Sequence, residues 1–180
     1  MHAISHTGKM DEEARPDAGD VDGVPVFEPL ADAQVGEWAR YGALDSAELI
    51  YRVVRAEAAT VRTEVVVYEG GRPLGLPTVR EDMRTWDPPA SLARGVGARR
   101  IARRCTIEVA GRPWDALLYE DRWTDEGIAY LRRTWVSQAS PVFGTLVMEL
   151  HGDDALEARL ELKAFGVEEA TAASAETAAP

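Results

Sequence analysis

The densest group of chemistry-bearing side chains in this chain is Arg99, Arg100, Arg103 and Arg104. Guanidinium groups stay charged and present a fixed fork of N–H donors. A phosphate, an acidic lipid head group or a nucleic acid would suit such a cluster. In an extended segment, however, each adjacent arginine pair divides between two faces. The simpler expectation is a solvated strand and turn whose arginines pair with nearby acids. No RNA-binding signature accompanies the cluster.

The remaining polar groups do not assemble into a motif. His2 and His6 lie in a polar N-terminal stretch and His151 in a turn, without the Cys/His spacing of a zinc site. Asp153 and Asp154 follow His151 but lack the spacing of a calcium loop. Cys105 alternates with Ile107 and Val109, as a small apolar core residue would. Ser137 and Ser140 have no nucleophile-elbow context. The glycines of Gly95-Val96-Gly97 lack the strand–loop–helix setting of a phosphate loop. Glu120, Asp121, Asp125 and Glu126 surround a turn, where carboxylates usually face water. No catalytic residue, metal ligand or cofactor is assigned.

Aromatic residues are the other candidates. Trp38, Trp86, Trp114, Trp123 and Trp135 are joined by Tyr119 and Tyr130. On a curved sheet they would line a concave face able to take an apolar ligand or a protein partner. Core packing is the first expectation for them. The predicted contact set is Trp38, Trp114, Trp123, Trp135, Tyr119, Tyr130, Arg99, Arg100, Arg103 and Arg104.

The elements that must position these residues read as strands. Leu156, Ala158, Leu160, Leu162 and Ala164 alternate with Glu157, Arg159, Glu161 and Lys163, a period of two with one dry face. Leu146, Met148 and Leu150 form the preceding strand, and His151-Gly152-Asp153-Asp154 the turn between. Tyr130, Thr134 and Val136 share one face of another run, and Leu131 and Trp135 the other. Cys105–Val109 and Trp114–Tyr119 flank a Gly111-Arg112 turn. Thr124–Gly127 closes the next.

The N-terminal half is less regular. A first strand is expected over residues 35–44 and a second through Leu49, Tyr51 and Val53. The third runs from Val61 to Glu69, rich in β-branched residues. Gly70-Gly71 suits a hairpin turn. A fourth strand over Arg72–Val79, interrupted by Pro73 and Pro77, suits a sheet edge. Residues 89–95 are expected to form a helical turn or two.

Charge and composition narrow the function classes. The chain has 180 residues, 46% hydrophobic, and a formal charge of −11. Residues 1–23 hold six acids and two bases, and residues 166–180 three acids and no base. Both ends are expected to be disordered, flanking one domain over residues 24–166. The acidic balance argues against general nucleic-acid binding, which needs a concentrated positive face. A single cysteine allows no intrachain disulfide. There is no apolar run long enough to span a membrane as a helix. A cytoplasmic location is the expectation.

The pattern Thr106–Val109, Gly111, Trp114, then Trp135-Val136-Ser137, Pro141 and Gly144 resembles that of β-rich bacterial proteins of the lipoprotein-localisation and DUF3108-like type. The likeness implies a curved antiparallel sheet and carries no catalytic motif to transfer. The whole reading is an all-β fold: a curved antiparallel meander of eight or nine strands, half-barrel or sandwich, with at most one or two short helices. The expected function is a non-catalytic interaction or assembly module. It would dock through the Arg72–Val79 edge or the aromatic face. A lipid or small apolar ligand carrier is the alternative, and an enzyme of unidentified class the third reading.

Overall fold

A computed structural model describes residues 27–85 and 99–168. The expected helical turn at 89–95, Trp86, residues 1–23 and residues 169–180 lie outside the described residues. Among the described residues ten strands form in chain order: β1 Glu37–Ala43, β2 Ala47–Ala56, β3 Thr60–Glu69, β4 Arg72–Pro73, β5 Thr78–Met83, β6 Arg99–Val109, β7 Arg112–Asp125, β8 Ile128–Val136, β9 Thr145–Gly152 and β10 Ala155–Val167. All belong to one antiparallel sheet, ordered β4-β3-β2-β1-β10-β9-β8-β7-β6, with β5 also paired to β3. The sheet does not close into a barrel, and a single sheet replaces the two that a sandwich would need.

Tight turns set the meander. Gly70-Gly71, Ala110-Gly111, Glu126-Gly127 and Asp153-Asp154 each have two consecutive positive φ values, between 46° and 88°. That is the turn whose twist matches paired strands. The turns fall one residue from the expected Gly111-Arg112 and inside the expected Thr124–Gly127. His151 and Gly152 belong to β9, so only the two aspartates turn the chain.

The one pairing no local signal announces is β1 with β10, which runs from Glu37↔Val167 to Ala43↔Leu160. It joins an N-terminal meander to a C-terminal one. It also carries the chain beyond the expected boundary at residue 166: Val167 ends β10, and the Glu168 carboxylate meets Arg52 at 2.8 Å.

The sheet is strongly curved. Strands β7 and β10 are three places apart, which on a flat sheet is about 14 Å. Yet the Trp114 and Phe165 rings sit 5.3 Å apart. Cα atoms of β6 and β10, four places apart, approach within 8 Å. Side chains fill the hollow so formed. Tyr41, Leu30, Leu146, Leu162, Val53, Val61 and Val142 are its largest fully buried members.

Two irregular segments close that hollow. Residues 27–34 contribute Leu30 and Ala33, and residues 137–144 contribute Val142 and Phe143. Phe143 meets Tyr51 edge-on at 5.4 Å, and Tyr51 meets Tyr41 at 5.6 Å. The Tyr41 hydroxyl, which could not be buried unpaired without cost, donates to the Thr145 carbonyl at 3.0 Å. Gly144, at φ 64°, is required by contact as well as conformation. A Cβ there would collide with the Phe27 ring.

Candidate functional site

Alternation distributes the predicted aromatic set over both faces of the sheet. Leu118 pairs with Trp135, so Trp135 shares its face with Trp114 and Leu118. Trp123 pairs with Tyr130, and Tyr119 with Thr134, on the opposite face. Trp38 sits on the side of β1 away from buried Ala39 and Tyr41, its indole against Gly166. The six aromatics therefore do not line one concave surface. Grouping them by residue type alone overlooked the parity of their positions.

Their individual settings differ as well. Trp114 is buried and structural: its Nε1–H donates to the Val109 carbonyl at 3.0 Å. The Arg112 guanidinium lies 3.6 Å from the Trp114 ring centroid and covers it. Trp135 packs against the same core. Tyr119 is buried with Phe27, Ala102 and Val136 in a smaller cluster on the other face. Trp123 and Tyr130 stack at 5.2 Å near the β7–β8 turn. Partial burial raises the Tyr130 phenol pKa, and the carboxylates of Glu157, Asp125, Asp153 and Glu126 raise it further.

The acids in the middle of the sheet are paired. On one face Glu120 accepts from Arg133 at 3.0 Å, Glu149 from Arg159 at 2.6 Å, and Glu161 from Arg159 at 3.0 Å and Lys163 at 2.8 Å. On the other face Arg132 holds Asp121 at 2.7 Å, both side chains buried. Burial pushes the Glu161 carboxyl upward, but the hydrogen bonds from Lys163 and Arg159 outweigh it and hold the pKa below the usual range. Glu120 and Asp121 do not face water as expected. They are cross-strand ion pairs built into the sheet.

Arg99 and Arg100 are placed in β6 by their backbone, opposite Arg122 and Asp121. Arg103 and Arg104 are exposed on the same strand. Neither makes an ion pair or side-chain hydrogen bond within the described residues, contrary to the expectation that nearby acids would take them. The Cys105 thiol pKa is raised by burial, with Arg103 lowering it less. It is therefore a thiol rather than a thiolate at neutral pH. Among the described residues no three His, Cys, Asp or Glu side chains converge.

The Arg72–Val79 edge is where the sequence placed it, and it is unusual. β4 and β5 run along the outside of β3, separated by residues 74–77. Five of the six β5 residues are exposed, and the buried one is Asp82. Leu74, Leu76, Val79 and Met83 are 53%, 91%, 56% and 54% exposed. Asp82 gives one carboxylate oxygen to Arg80 at 2.7 Å, while its other oxygen and the Thr63 hydroxyl are buried without a partner among the described residues. Arg62 and Glu81 bridge β3 and β5 at 2.9 Å.

Arg84 ties this edge to the rest of the molecule, and sequence reasoning missed it. Its guanidinium donates to the carbonyls of Leu30, Ala31, Ala33 and Glu57, at 3.0, 2.7, 3.2 and 2.5 Å. No motif marks such a residue, because its partners are backbone oxygens distant in sequence. A comparison with known proteins found no family model and no curated relative matching the chain.

Proposed function

We propose that the protein is a non-catalytic interaction module that receives an extended segment of a protein partner along its β4–β5 edge. The observation that carries this reading is the concentration of exposed apolar side chains there. Leu74, Leu76, Val79 and Met83 fall within ten residues of one edge. Elsewhere the exposed large apolar residues are scattered. An edge strand offers unpaired N–H and C=O groups to an added strand, and alternate side chains supply the grip. The partner's chemistry follows: extended, apolar on alternate positions, and uncharged where it meets Val79.

The middle of the sheet supports the same choice over the alternatives. Side chains fill the hollow that a carrier of a lipid or small apolar ligand would need open. The central carboxylates and arginines satisfy one another rather than standing ready for proton transfer.

The test uses the full chain and a short peptide alternating Val and Thr. Amide hydrogen exchange should slow over Thr78–Met83 when the peptide is added. Val79→Asp should abolish that protection while leaving the melting temperature in place. Unchanged exchange at Thr78–Met83 at millimolar peptide would defeat the reading.

A further inference from the structure

We infer that the opposite edge of the sheet, strand β6, is a second docking strand, selective for an extended acidic polypeptide segment. This does not depend on the β4–β5 proposal, because it rests on different residues at the far end of the sheet.

The first argument is backbone geometry. Among the described residues β6 ends the strand order and pairs with β7 alone, over its whole length from Arg99↔Arg122 to Val109↔Arg112. It is an 11-residue strand without proline or glycine. Natural edges are normally short, bulged or broken, because an unpaired row of N–H and C=O groups templates another strand. β6 has none of these protections and relies on charge.

The second argument is the sign of that charge. β6 carries Arg99, Arg100, Arg103 and Arg104 against one acid, Glu108, on a chain whose formal charge is −11. Arg52, Arg62, Arg80, Arg132, Arg133 and Arg159 are all in ion pairs. Arg103 and Arg104 are exposed and make none within the described residues. A second copy pairing through β6 would bring these guanidinium groups together, which like-charge repulsion disfavours. An acidic strand would place carboxylates opposite Arg103, on one face of the extended sheet. The charges that block self-pairing thus select the partner.

The third argument is space. An open groove of about 900 Å³ lies against this edge. Arg104, Cys105 and Thr106 of β6 line it together with Leu117, Val136 and Phe27. Apolar side chains on alternate positions of the added strand fit this groove beside Arg104, while the acidic positions meet Arg103 on the other face. The occupant is therefore acidic and apolar in alternation.

The experiment titrates the full chain with a short labelled peptide alternating Glu and Val, at low salt, followed by anisotropy and amide exchange. Binding with slowed exchange at Ile101–Ile107 is the expected result. Arg103→Glu with Arg104→Glu should weaken it at least about tenfold, and 0.5 M salt should do likewise. Arg103→Gln alone, a milder change at an exposed position, should weaken it less and guards against a folding artefact. A Lys/Val peptide should not bind. Equal affinity for both peptides, protection at Thr78–Met83 instead, or indifference to the arginine variants overturns the proposal. So does exchange at Ile101–Ile107 that is already slow in the full chain and becomes fast only when residues 1–23 are removed. In that case the chain's own acidic segment, not a partner, is the occupant.

Discussion

The two edges of the sheet solve the same problem by opposite means. The β4–β5 edge is short and interrupted, with Pro73 and Pro77 and only one buried residue in β5. It exposes apolar side chains and, beyond its ladder with β3, is held to the body by point contacts: Arg62–Glu81, Arg80 over the Phe143 ring and the Arg84 guanidinium. The β6 edge is long and continuous. It contributes Ala102 and Val109 to buried clusters, and it shows arginines to solvent. One edge is anchored by polar bonds and apolar outside. The other is anchored by packing and charged outside. Anchoring by packing ties an edge to global stability, whereas anchoring by a few polar bonds lets it open locally.

The largest way to break this contrast is at Trp114. Its ring links the end of β6, through the Val109 carbonyl, to Phe165 on β10. Trp114→Ala should cost about 3–5 kcal/mol of global stability, read by urea unfolding. Trp114→Phe keeps most of the packing and loses the hydrogen bond, so a cost nearer 1 kcal/mol is expected. If the two variants cost the same, β6 is held by the bond rather than by packing, and the contrast fails.

The next effect is at Arg84. Arg84→Ala removes the donor shared by four carbonyls, and a loss of about 2–3 kcal/mol is expected. Its distribution matters more than its size. Amide exchange should accelerate over Thr78–Met83 and around Leu30–Ala33, while Ile101–Val109 keeps its protection. Uniform acceleration across the sheet would mean that the β4–β5 edge is not a separate opening unit.

These two residues also mark how much was legible in the sequence. Alternation and paired turn residues revealed the strands and the broken edge at Arg72–Val79, because both signals are local. The partner of β1 was hidden, since β10 lies over a hundred residues away and no local pattern names it. Bulges hid more. In β10 the even-numbered residues Leu156 to Ala164 read as one dry face. The register slips at Glu157 against β9 and at Lys163 against β1. As a result Leu156 is 39% exposed, and Phe165 rather than Ala164 packs on the core. A period of two carries no record of where one residue is skipped. The predicted aromatics divide between faces for a related reason: Trp114 and Trp123 differ by an odd number of positions, so one face never held both.

Titration of Tyr41 and Glu161 perturbs the middle of the sheet and neither edge, which makes it a control. Burial, with a smaller contribution from Tyr51, raises the Tyr41 pKa well above its ordinary value. A raised pKa favours the folded state below the unfolded value, near pH 10, and that contribution fades as pH rises further. For Glu161 the folded pKa is lowered, so its contribution is present above the ordinary value of 4.5 and fades as pH falls through the depressed one. Stability should therefore decline on both sides. Tyr41→Phe should flatten the alkaline limb. The order in which the two edges exchange should not change between neutral and mildly acidic pH.

The smallest expected effect separates docking from stability. Leu76 is 91% exposed, so Leu76→Ser removes an apolar side chain that folding has hardly buried. Its cost to stability should stay within about 0.5 kcal/mol. Arg103→Gln, at the other edge, should be similarly silent in urea unfolding because the side chain has no ion pair among the described residues to lose. Each should act only on its own probe. Leu76→Ser should weaken the Val/Thr peptide and leave the Glu/Val peptide unaffected, and Arg103→Gln the reverse. Cross-talk between the edges would require a path through the packed hollow, where Tyr51, Phe143 and Leu162 separate them. Exposed substitutions give that core no reason to move. A variant that weakened both probes equally would show that the edges are coupled parts of one surface, and that the difference between them is not functional.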